Sequence, residues 1–123
     1  AVEHRTLLAA HQACKDACDA SDPDEYFYKN EALHEQIYSG SRNTFLAEQA
    51  RSLHRRLRPY RRLQLRVRDR TKASYCEHEK IVQAIIAGDS DLTVELLRQH
   101  VTIQGQRFAD LVASLPSLNV ETL

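Results

Sequence analysis

Glycine and proline are scarce, three of each in 123 residues, and no useful stretch alternates apolar with polar side chains. A strand-rich architecture is thereby disfavoured, and helix formers dominate what remains. No apolar run approaches the roughly 20 residues needed to cross a bilayer, and nothing resembles a signal peptide. Three cysteines are too few for a disulfide framework, and Cys14 and Cys18, four apart on a helix, would bridge poorly. A reducing cytoplasm is the natural setting. No HExxH motif occurs, and no serine or cysteine stands in a recognisable spacing with histidine and acid. There is no internal repeat and no low-complexity tract. The first residue is Ala1 rather than methionine, which reads as a fragment or a processed product.

Net charge is also lacking, but the charges are unevenly placed. Residues 51–72 carry ten basic side chains against one acidic, Asp69, and the other 101 residues carry seven against sixteen. Such a stripe can attract phosphates, line a site for small anions or form a solvated helix face. Flanking acids and few interleaved aromatics argue against nucleic acid as this domain's own ligand.

What is present reads as five helices forming an antiparallel bundle. The first, roughly 3–20, aligns Leu7, His11, Cys14 and Cys18. Ser21 or Asp22 caps the second, about 23–39, which carries Phe27, Asn30, His34 and Ile37 on one side and stops at Ser39-Gly40. Asn43 caps a third, bent by Pro59, whose apolar stripe is Leu46, Ala50, Leu53, Leu57 and Tyr60. Thr71 caps the fourth, with Tyr75, His78, Val82 and Ile85 inward. The fifth runs from near Ser90 to about Leu115, burying Leu96, Leu97, His100, Phe108 and Leu111, and Pro116 ends it.

Three histidines, His34, His78 and His100, thus lie on apolar faces of three different helices, with Asn30 one turn before the first. A buried imidazole needs a partner, and a divalent metal is the sharpest candidate for a shared one. Taken singly, each reads better as a satisfied core or interfacial residue, and spacing alone does not bring them together. His11 with Cys14 and Cys18 is a second metal-type grouping, but all three share one helix and read better as packing. His54, among arginines, is expected to face solvent or support the basic stripe, and His4 sits near a terminus. Arg56 and Arg61 flank the apolar stripe of the third helix and can hold a carboxylate bidentately or stay solvated. Arg55, Arg58, Arg62 and Arg66 read as solvated or intersubunit. Helical phase turns Glu31, Glu35 and Glu77 partly aside from the histidines, so binding fits better than metal-assisted hydrolysis.

The segments NEALHEQIYSG (30–40), NTFLAEQARSLHRRLRPYRRLQL (43–65), EHEKIVQAIIAGDS (77–90) and LLRQHV (96–101) give the chain a family resemblance. It resembles the all-helical, effector-binding C-terminal domain, called FCD, of the FadR-like branch of GntR-type bacterial transcription regulators. The family's D-x-x-F-H motif falls on Asn30 to His34, with Asn30 replacing the aspartate and Leu33 the phenylalanine. Its E-H-x-x-I and A-I-x-x-G-D motifs follow in order, then a histidine in the last long helix.

The resemblance implies metal ligands Asn30, His34, His78 and His100, a divalent ion with zinc or nickel expected, and a small carboxylate or sugar-acid effector. Arg56 and Arg61 are the candidate effector-binding residues. It also implies a homodimer, contact with DNA only through a winged helix-turn-helix domain outside this sequence, no membrane partner and no catalysis. Residues 1–115 would be the effector-binding and dimerisation domain, incomplete at its N-terminus, and 116–123 a tail. The alternatives are a small metal-dependent hydrolase and a purely structural dimerisation module.

Overall fold

The computed structural model describes residues 2–67 and 69–113. They form five helices: α1 (Val2–Asp19), α2 (Pro23–Gly40), α3 (Thr44–Gln64), α4 (Arg70–Ala87) and α5 (Ser90–Ala113). No strand occurs among the described residues. The tail from 116 onward and the side chains of Phe108 and Leu111, expected inward on α5, lie outside the described residues.

Local chemistry sets the boundaries. Asp22 Oδ1 accepts from the Glu25 amide at 3.1 Å, with Pro23 opening α2. Asn43 Oδ1 accepts from the Leu46 amide at 3.0 Å, and Asp89 Oδ1 from the Leu92 amide at 3.0 Å. Helix α4 ends in a Schellman turn. Gly88 takes the left-handed conformation (φ 73°), its amide bonding Ile85 O and the Asp89 amide bonding Ala84 O. Thr71 is not the cap expected of it. It is the second residue of α4, and its hydroxyl donates to Leu65 O at 3.3 Å, tying the helix to the preceding turn. Pro59 lies inside α3, which continues to Gln64.

The helices adjoin in the order α1, α2, α3, α5, α4 and back to α1. An apolar core between α1, α2 and α4 contains Leu7, Cys14, Cys18, Tyr26, Phe27, Leu33 and Val82, closed below by Leu65. Each large member contributes about 1.5–3 kcal/mol through burial. His11 belongs to this region: it is buried, bonded to Glu79 of α4 and stacked on the Tyr75 ring at 4.7 Å.

Helix α3 departs from its expected orientation. Leu46, Leu53, Leu57 and Tyr60 are all exposed, as is Phe45 at 70%. The inward face is instead Ala47, Arg61 and Gln64, with Ala50, Arg51 and His54 half-buried. The reason is charge. Acids along α2 engage basic residues of α3 and the turn after it: Arg51 to Glu35 at 2.6 Å, Arg58 to Glu31 at 2.6 Å and Arg66 to Asp24 at 2.7 Å. Each partly exposed pair contributes only about 0–1 kcal/mol, but together they fix which face of α3 meets α2. Arg58 and Arg66 are therefore not simply solvated, and much of the basic stripe is matched within the chain.

Candidate metal and effector site

Four helices line a half-open cavity of about 340 Å³ beside the apolar core. Helix α2 brings His34 and Tyr38 to it, α3 His54 and Arg61, α4 His78, and α5 His100 and Gln104. The three predicted imidazoles do converge. His78 Nε2 lies 3.2 Å from His34 Nε2 and 3.1 Å from His100 Nε2, and one ligand atom from each ring lies within 4.8 Å of the others. No other group of three or more His, Cys, Asp or Glu side chains comes close enough to hold an ion among the described residues, the His11 neighbourhood included.

The outer nitrogens decide which atoms face inward. His100 Nδ1 is 2.6 Å from Glu77 Oε1, so it carries the proton and leaves Nε2 as an acceptor. Glu77 is held in turn by Arg70 at 2.9 and 3.3 Å. Burial alone would raise the Glu77 carboxyl, but hydrogen bonds from His100 and Arg70 outweigh it and bring it down to about 2. The Tyr26 hydroxyl donates to Ser74 Oγ at 3.0 Å, leaving its oxygen to accept from His78 Nδ1 at 3.4 Å. Thus His78 and His100 turn unprotonated Nε2 atoms toward each other. That is a repulsive pairing for bare imidazoles and a suitable one for a shared cation.

The donor set fits a metal on spacing as well. Nitrogens about 2.1 Å from one ion stand about 3.0 Å apart as octahedral neighbours and about 3.4 Å apart as tetrahedral ones, and the two separations from His78, 3.2 and 3.1 Å, fall between. Burial, the Arg61 charge and the neighbouring rings hold His34 well below the ordinary histidine range. Burial, His34 and His100 do the same for His78. Both rings are therefore neutral near pH 7, the ligating form. Gln104 Nε2 donates to His100 Nε2 at 2.8 Å, so this amide occupies the His100 lone pair and would have to turn away for an ion to bind there.

Asn30 is buried one turn before His34, and its Oδ1 has no hydrogen-bond partner, an orphaned acceptor in the interior. The two candidate arginines part company. Arg61 is buried and lines the cavity; its Nε has no partner, and no carboxylate lies within ion-pair distance among the described residues. Burial is the largest influence lowering its pKa. Arg56 is exposed, on the opposite side of α3 from the inward residues.

Three cavity residues were missed by sequence reasoning: His54, Tyr38 and Gln104. His54 is half-buried, 5.8 Å ring to ring from His34, with Nε2 3.7 Å from Glu31. Its signal was its spacing of seven from Arg61, two turns along one face, which also predicts that the two share an environment. Gln104 follows His100 by four, and Tyr38 follows His34 by four, so helical phase places both beside known candidates. Glu77, expected to turn partly aside, in fact contacts His100 directly.

Residues 1–102 match the family model of the FCD domain. No curated protein and no solved structure matches the chain. No helix among the described residues is long and apolar enough to cross a membrane.

Proposed function

From a chain that belongs to the FCD family of effector-binding domains, we propose the ligand sensor of a GntR-type transcription regulator, taking a small organic acid or sugar acid. FCD domains are non-catalytic sensing modules, which sets the hydrolase alternative aside. The convergence of the three Nε2 atoms carries this reading.

His34, His78 and His100 would hold a divalent ion, zinc or nickel, and the orphaned Oδ1 of Asn30, one turn before His34, would add one oxygen to the three nitrogens. Such an ion supplies Lewis-acid attraction for a carboxylate in an open coordination position. Glu77 fixes the His100 tautomer, Tyr26 that of His78, and Arg70 fixes Glu77. Arg61, a buried cation with no carboxylate partner among the described residues, supplies the second anchor for the effector's acid group. Arg56 has no support at the cavity.

Binding alters transcription when the effector favours one arrangement of paired DNA-reading domains, which lie outside this sequence. A homodimer is part of the same reading, and the exposed Phe45, Leu46 and Tyr60 of α3, which do not line the cavity, are the surface that a second copy would cover.

The test is metal analysis of purified protein after zinc reloading and desalting. About one ion per chain is expected, lost in His78→Ala and His100→Ala. Small carboxylates should then raise the melting temperature of the zinc-loaded protein and leave Arg61→Met unaffected. Absence of a stoichiometric ion after reloading overturns the metal reading. A purely structural dimerisation module would neither retain an ion nor respond to acids.

A further inference from the structure

The effector cavity is divided chemically, and the division selects among acids. Its polar groups are contiguous. His78 and His100 lie against His34; Tyr38 and His54 lie 6.1 and 5.8 Å from the His34 ring, and Gln104 bonds His100. Arg61 lines the same cavity from α3, with its Nε unpartnered. The remaining wall is Ile37, Leu53, Leu57, Ile81, Leu97 and Val101, with Ala50 between. None of these side chains carries a hydrogen-bonding atom.

One head-group anchor and a hydrocarbon wall suit an amphiphilic ligand. A carboxylate placed at the imidazoles and Arg61 would direct the rest of its molecule along Leu53, Leu57 and Leu97 toward Val101. Methylene or aryl groups gain by leaving water there, whereas a chain of hydroxyls would leave donors and acceptors unmatched against leucine and valine. The volume, about 340 Å³, holds roughly ten water-sized units, room for an acid of moderate length.

The geometry points to a monocarboxylic acid with an apolar body, rather than a sugar acid, as the effector class. This rests on the reading of the cavity as a carboxylate site and narrows it.

Hexanoate and gluconate test it directly, since both are six-carbon monocarboxylates differing in the character of the chain. Titration calorimetry on the zinc-loaded protein should give hexanoate at least tenfold tighter binding than gluconate. Across acetate, butanoate and hexanoate, affinity should rise by up to about fourfold per methylene. Leu53→Gln/Leu57→Gln, at positions already exposed, should flatten that series and leave acetate unchanged while helical content and zinc retention persist. Gluconate binding as tightly as hexanoate, or a flat series in the unmodified protein, overturns the apolar-acid inference and leaves the carboxylate site standing. Binding of none of these acids removes the carboxylate site and this inference with it.

Discussion

Arg70 and Glu77, seven residues apart on α4, form a two-point ion pair in which Nη1 is 2.9 Å from Oε2 and Nη2 is 3.3 Å from Oε1. The same carboxylate reaches His100 on the neighbouring helix. Removing the carboxylate charge with Glu77→Gln should weaken zinc binding by about 10–100-fold, measured by competition with a chromophoric chelator. It should also destabilise the fold by about 3–5 kcal/mol, because Arg70 would keep a buried charge without a counter-charge. Arg70→Met/Glu77→Gln should recover part of that stability without restoring zinc affinity. Unchanged affinity in both variants would show that the ion pair serves packing alone.

Replacing Asn30 by aspartate should act oppositely in the two states of the protein. Without metal, a buried carboxylate at a position whose oxygen already lacks a donor should lower the melting temperature. With zinc, the anionic oxygen should bind more strongly than the amide oxygen, raising affinity at least tenfold. Paired thermal scans with and without zinc read both effects. A variant less stable in both states, with no gain in affinity, excludes Asn30 from coordination.

Stability of the metal-free protein should fall as pH drops below about 6.5. His34 and His78 are held well below the ordinary histidine range by burial, so the unfolded chain takes up protons there before the folded one does. Their contribution is complete above the unfolded value and is lost progressively as pH falls toward the folded values. The slope is at most about 1.4 kcal/mol per pH unit for each ring. Urea titrations at pH 7.5, 6.5 and 5.5 measure it, and His34→Gln/His78→Gln should flatten the profile.

The cysteines should react unequally. Burial pushes the Cys14 thiol up to about 12, Cys18 is buried and shifted the same way, and Cys76 is exposed. Iodoacetamide at pH 8 should modify Cys76 in the folded protein and all three cysteines after denaturation. Rapid native labelling of Cys14 would contradict the packing of α1 against α2 and α4.

Element boundaries were legible where the signal was local. Asp22, one of two caps offered for α2, and Asn43 carry their capping chemistry within three residues, and each caps its helix. Convergence of the histidines was legible through the order of the family's motifs, while periodicity alone left it open. Helix α3 misled because it has two candidate inward faces, a leucine stripe and a mixed face of Ala47, His54, Arg61 and Gln64. Only the acids of α2 decide between them, and pairing between separate helices is not encoded in the periodicity of either. Choosing the leucine face displaced His54 to solvent and left Arg56 and Arg61 equivalent. Thr71 misled for a smaller reason, since a hydroxyl near a helix start serves a turn carbonyl as readily as an amide.

The connection between α4 and α5 is only Gly88 and Asp89. Its left-handed turn, closed by the Gly88 and Asp89 amides, sets where α5 starts against α4 and so how near the backbones of His78 and His100 come. Inserting a single residue in this hinge should part the two imidazoles while leaving both helices whole.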